Sequence, residues 1–112
     1  MQHDGPKRGE IYWVRLDPTD GSEINKTRPC LIVSSNVSNC SELIVVVPIT
    51  SNVKRLFSRI EVQITLEGKK GKIMPRQIRS IDRTNRLGKK IGMISNEEMK
   101  LVENALRLIL EL

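Results

Sequence analysis

Arg28, Thr50 and Ser51 are the residues of this 112-residue chain whose types and placement bear most directly on chemistry. A guanidinium is planar and always charged, and its fork of N–H donors matches two oxygens of a phosphodiester. Hydroxyls beside it can donate to the same group or relay a proton. Two apolar runs must position them: Cys30-Leu31-Ile32-Val33 and Leu43-Ile44-Val45-Val46-Val47, rich in β-branched residues and read as strands. The Ser34–Ser41 stretch between them has turn composition. If the strands pair antiparallel, the residue before the first and those after the second meet at one end of the sheet.

The same residues also fit plainer roles. Arg28 serves equally as a surface arginine in a salt bridge, and Thr50 and Ser51 as caps of the turn after Val47-Pro48. The charge favours a polyanion partner without deciding the matter. Lys and Arg number 19 against 13 Asp and Glu, a net +6, and residues 54–90 hold 12 of the cations but only Glu61, Glu67 and Asp82 as anions. With Tyr12, Trp13 and Phe57 as the only rings, an aromatic stacking platform is disfavoured, and Trp13 reads as a core or dimer-interface residue. The single histidine, His3, lies in a polar lead-in, which argues against histidine acid–base catalysis. Cys30 reads as a core residue and Cys40 as a loop thiol, without metal-ligand spacing. No run is long enough for a membrane span and no signal-like apolar segment opens the chain, so the expected setting is the cytoplasm, with no membrane, metal or cofactor.

The expected organisation is a lead-in over 1–8 and one domain over 9–112. A first strand runs from Glu10 to Leu16, followed by a polar loop from Asp17 to Thr27. After the 28–50 hairpin, Asn52–Ser58 is expected as a short helical turn and Arg59–Leu66 as a half-buried strand. Glu67–Gly71 is expected as a hairpin turn, in which Lys69 and Lys70 are solvated. Lys72–Met74, Gln77–Asp82 and Lys90–Ile94 are expected as strands, with Pro75 marking an edge or bulge. Ser95-Asn96-Glu97-Glu98 is a capping box, and Met99, Val102, Leu106, Ile109 and Leu110 recur at helical spacing behind it. The sum is a mainly β chain with a C-terminal helix.

Arg8–Val14, Lys26–Ser34, Val47–Ser51 and Gln77–Asp82 together resemble the MazF/PemK family of toxin–antitoxin endoribonucleases, over residues 8–111. The resemblance implies a small SH3-like β-barrel of the MazF/PemK/CcdB type. It also implies a homodimer that cleaves single-stranded mRNA without a metal and is neutralised by a cognate antitoxin. It carries catalytic roles onto Arg28 and Thr50, and substrate-binding roles onto Ser51, Gln77 and Arg79. Glu23, Asn25 and Lys26, in the loop expected to shape specificity, join them as substrate-binding candidates, and Glu23 is a candidate base on chemistry alone. Some PemK-like members place an arginine and an acid where this chain has Met74 and Arg76, so that acid–base pair is lost here, and an extra residue before Arg86-Leu87 leaves the role of Arg86 open. A competing reading is a non-catalytic toxin of the same barrel acting on a protein such as DNA gyrase. A third is a plain basic RNA-binding barrel.

Overall fold

A computed structural model describes residues 5–17, 20–23 and 26–112. Seven strands lie in the order β4-β5-β3-β2-β1-β7, with β6 also paired to β3, and every pairing is antiparallel. They are β1 (Glu10–Arg15), β2 (Thr27–Ile32), β3 (Leu43–Thr50), β4 (Val62–Leu66), β5 (Lys69–Ile73), β6 (Arg79–Asp82) and β7 (Leu87–Met93). Two α-helices accompany the strands among the described residues: the four-residue α1 (Arg83–Arg86) and the C-terminal α2 (Asn96–Leu110).

Strand β3 is the hub. One edge carries β2 (Cys30 opposite Pro48), while the other is shared by β6 along Leu43–Val46 and β5 at Ile49 and Thr50. Its pleat sends Val47 and Ile49 to one face, where they join Ile11, Leu31, Ile64 and Ile73 under Met99 and Val102 of α2. Ile44 and Val46 point to the other face, with Val14, Leu16, Cys30, Ile32 and Ile81. Each fully buried Ile or Val contributes roughly 1.5–3 kcal/mol, so both faces of the central strands hold the sheet together. Leu66 of β4 and Ile91 of β7 pack on the first cluster. The curled sheet thus closes as an SH3-like barrel through side chains rather than a β4–β7 ladder: a Cβ added at Gly92 would stand 3.5 Å from Leu66 Cδ1.

Several local expectations are corrected. Asn52–Ser58 is irregular rather than helical, because Asn52 Oδ1 accepts from Lys54 N at 3.2 Å and turns the backbone away from a helix. The β4–β5 hairpin turns on Glu67 and Gly68 alone, with φ of 51° and 78°. Lys69, Lys70 and Gly71 are therefore strand residues, with both lysines exposed. Gln77 belongs to a 3₁₀ turn, Pro75–Gln77, which Pro75 opens, and β6 starts only at Arg79. The last strand begins at Leu87, after an Asp82-capped α1 that composition did not signal. In α2 the capping box forms as expected, Glu98 N donating to Ser95 Oγ at 3.1 Å and Ser95 N to Glu98 Oε1 at 2.9 Å. Leu110, though, is exposed, and Ala105 takes a core position. The lead-in is tied down where it is described. Pro6 is buried, Arg8 pairs with Glu103 of α2 at 3.0 Å, and Gly9 bonds to Ile32 and Ile94. His3 lies outside the described residues. Among these residues, no helix is long and apolar enough to cross a membrane.

Candidate active site

The β2–β3 ladder runs from Ile32 opposite Val46 to Cys30 opposite Pro48, and Arg28 and Thr50 lie two residues beyond its end on their own strands. Thr50 pairs in turn with Lys72, and Arg28 with Val14 on its other side. Thr50 and Lys72 therefore form one rung across β3 and β5, and Arg28 and Thr50 come together as walls of one cavity. The cation and hydroxyl expected to converge do so.

Thr50 Oγ1 accepts a hydrogen bond from Asn52 N at 3.2 Å, and Asn52 Oδ1 accepts from Lys54 N at 3.2 Å. An oxygen held as an acceptor in this way turns its own proton outward, so the hydroxyl is set up to donate. Arg28, Thr50 and Ser51 line a cavity of about 490 Å³ with Trp13, Lys69 and Lys70. Trp13 is 38% exposed there, so the ring belongs to the site wall rather than the core. Lys69 and Lys70 reach the same cavity because β5 starts early, a consequence of the two-residue turn. The Gly-Lys-Lys-Gly string reads as a loop and carries no alternation, so the sequence offered no signal for this start of β5.

Glu23, Gln77 and Arg79 line a neighbouring cavity of about 770 Å³ with Ser22, Pro48, Glu61 and Arg76. Pro48, two residues before Thr50 on β3, lines this cavity, whereas Arg28 and Thr50 line the first. Glu23 is thus not brought into the Arg28 cavity as a base would require. Its Oε1 instead accepts from Asp20 N at 2.9 Å and fixes the loop turn. Gln77 Nε2 reaches Ser22 O at 3.5 Å and closes that loop over the cleft. Lys26 is exposed with φ 67°; its amide donates to Asp17 Oδ1 at 2.8 Å and its carbonyl accepts from Leu16 N at 2.9 Å. Asn25 lies outside the described residues.

The arginines divide their work. Arg79 Nη1 donates to Leu16 O at 3.0 Å. Arg86 Nη1 donates to Arg15 O at 2.9 Å and to Asp17 O, so both tether the end of β1 from which the loop departs. Arg76 lies over the Phe57 ring, 5.2 Å from its centroid, with Glu61 Oε2 at 3.9 Å. Cys30 sits two residues beyond Arg28, and burial pushes its thiol up to about 12, the Arg79 charge pulling the other way. At the far end of β1, burial raises the Glu10 carboxyl, but bonds from Lys90, the Lys7 amide and Tyr12, with the Lys90 charge, outweigh it and leave the group below its ordinary value. Burial and that carboxylate push Tyr12 up to about 12.

A family-wide sequence profile described as PemK-like, MazF-like toxin of type II toxin–antitoxin system matches residues 7–110. The chain belongs to the PemK/MazF toxin family. Among its PemK/MazF relatives, the endoribonuclease MazF9 of Mycobacterium tuberculosis is 38% identical over 95% of this chain and 97% of its own length. The endoribonuclease MazF of Staphylococcus saprophyticus is 33% identical over 95% and 92%. MazF from Deinococcus radiodurans superposes with a TM-score of 0.84 at 25% identity, covering 96% of this chain and 98% of that one. A mycobacterial endoribonuclease solved with its cognate antitoxin gives 0.78 at 25% identity, covering 96% of both.

Proposed function

We propose that this chain is a toxin endoribonuclease that cleaves single-stranded mRNA at a short recognition sequence and is neutralised by a cognate antitoxin. The observation that carries the reading is the single cavity that Arg28, Thr50 and Ser51 line together with Lys69 and Lys70. Attack by the RNA 2′-hydroxyl on the adjacent phosphorus forms a bond to phosphorus and breaks the bond to the 5′-oxygen. The products are a 2′,3′-cyclic phosphate and a 5′-hydroxyl. Charge grows on the equatorial oxygens as the pentacoordinate phosphorus forms, and a fixed guanidinium with a donating hydroxyl stabilises that charge more than the ground state. Arg28 supplies the first and Thr50 the second, and Ser51 contacts the phosphate beside them. A guanidinium suits charge stabilisation rather than general-base work. Lys69 and Lys70 add salt-dependent attraction without base readout.

The 17–27 loop, held by Arg79, Arg86 and Gln77, borders the neighbouring cavity through Ser22 and Glu23, where flanking nucleotides are read. The protein acts as a homodimer in the cytoplasm, needs no metal, and carries out this chemistry through its own side chains. The gyrase-directed alternative has no specific observation in its favour.

Purified protein incubated with long RNA in EDTA is expected to yield defined fragments with 5′-hydroxyl ends. Arg28→Ala and Thr50→Ala should each slow cleavage by roughly 100- to 1,000-fold. Intact RNA with the wild type, or unchanged cleavage by both variants, would refute the assignment. Light scattering at twice the chain mass checks the dimer, and loss of cleavage on adding the antitoxin checks that partner.

A further inference from the structure

Lys72 is 7% exposed and its partner Glu61 is 5% exposed, yet neither is a residue that the phosphate chemistry calls on. Lys72 Nζ lies 2.9 Å from Glu61 Oε1 and also donates to Arg55 O. The same Glu61 oxygen accepts from Phe57 N at 3.0 Å, and Glu61 N donates to Phe57 O at 2.8 Å. A buried ion pair is an inefficient way to stabilise a fold, since desolvating two charges offsets much of their attraction. This one holds the irregular stretch between β3 and β4 at Arg55 and Phe57, with the exposed Arg76 guanidinium more distant, 3.9 Å from Glu61 Oε2.

The placement is specific. The backbone of Lys72 pairs with Thr50, and its ammonium holds the carbonyl of Arg55 five residues further along the same chain. One residue thus pins both ends of the segment Thr50–Arg55, while Glu61 fixes Phe57 just beyond. Inside the pinned segment lie Ser51, the Asn52 amide that orients the Thr50 hydroxyl, and the cation Lys54.

We propose that Lys72, neutralised by Glu61, is a positioning residue that holds Thr50–Arg55 in the shape that aims the Thr50 hydroxyl at the scissile phosphate. Lys72 does not touch the reacting atoms. The cleavage arm of its test rests on the endoribonuclease reading; the exchange arm does not.

Lys72→Met removes the ammonium at similar length but leaves Glu61 buried and unpaired. Glu61→Gln/Lys72→Met keeps an acceptor for the Phe57 amide and leaves no orphaned charge, so it stays informative should the single variant fail to fold. In the double variant kcat for RNA cleavage is expected to fall at least 10-fold and up to about 100-fold, the order of loss for a reacting group displaced by about 1 Å, with KM little changed. In a Thr50→Ala background the same pair of changes should lower kcat no further, because the hydroxyl that Lys72 serves is gone. A residue acting only through global stability would lower activity in both backgrounds. Independently of activity, amide exchange at Asn52 and Lys54 should accelerate at least 10-fold while exchange in β1 and α2 is unchanged. A wild-type kcat in the folded double variant, an equal loss in both backgrounds, or unaltered exchange at Asn52 and Lys54 would overturn the proposal. A wild type that cuts no RNA would refute the cleavage reading and leave the exchange result to decide the role of Lys72.

Discussion

Replacing Thr50 by Val separates what its hydroxyl does for the fold from what it does for the reaction. Val has nearly the shape of Thr and removes only the oxygen and its proton. In the fold that oxygen accepts the Asn52 amide at 3.2 Å, and Asn52 is exposed, so water takes over the donor when the oxygen is lost. The stability cost belongs at the low end for a hydrogen bond, about 0.5–1 kcal/mol. With an unfolding entropy of roughly 2.1 cal/mol/K per residue, that lowers Tm by about 2–4 °C. In the transition state the same hydroxyl meets developing charge, and losing one such donor costs about 2.7–4 kcal/mol, or roughly 100- to 1,000-fold in kcat. Thr50→Ser keeps the donor and should stay within about 10-fold of wild type. The assay is single-turnover cleavage of a defined RNA, with calorimetry on the same preparations. A Val variant within about threefold of the wild-type kcat, or a Ser variant as impaired as the Val variant, would show that the hydroxyl does not act as argued. A fall in Tm beyond about 10 °C would show that the Asn52 amide is not replaced by water.

The Glu10 carboxyl, held below its ordinary value of 4.5, lends stability that is complete above that value and is lost as pH falls through its lower folded value. Glu10→Gln should flatten that part of the acid limb, seen as a wild-type-minus-variant gap in Tm that shrinks as pH falls below 4.5. Tyr12, raised from 10.0 to about 12, binds its proton more tightly in the folded state, so its contribution fades as pH rises from 10 to 12; Tyr12→Phe should shrink the Tm loss over that window. Cys40 is exposed and Cys30 fully buried with its thiol near 12, so an aromatic disulfide reagent at pH 8 should titrate one thiol quickly and the second only on unfolding. Ser95→Ala breaks the capping box of α2 and should cost about 1 kcal/mol, read as roughly 4 °C in Tm.

What could be read from the chain alone followed the range over which each signal acts. The strands of the 28–50 hairpin, the capping box and the meeting of Arg28 with Thr50 rest on periodicity and pairing within a few dozen residues, and they stand in the structure. The two-residue turn at Glu67-Gly68 was hidden because the lysines and glycine after it carry no alternation, although the ladder from Leu66–Lys69 to Val62–Ile73 needs none. Gln77 looked like strand because Pro75 was taken to interrupt a strand, whereas a proline without an N–H opens a 3₁₀ turn equally well. The duties of Arg79 and Arg86 were invisible, since each donates to a backbone carbonyl more than 60 residues away, and carbonyls leave no mark in a sequence. The Glu61–Lys72 pair escaped for a related reason: burial turns two surface-type residues into a linked unit, and composition counts them separately.

The pairing of β1 with β7 joins Glu10 to Met93, near opposite ends of the chain. During synthesis at about 5–20 residues per second, that partner follows β1 by roughly 4–16 s. The strands bearing Arg28, Thr50 and Lys72 have all been made by then, whereas β7 and the helix that roofs the core come last. The nascent chain therefore carries its reactive residues before it has the enclosure that makes them rigid. Its second β1 edge stays open throughout that interval, a window for mispairing that closes when the last strand is laid down.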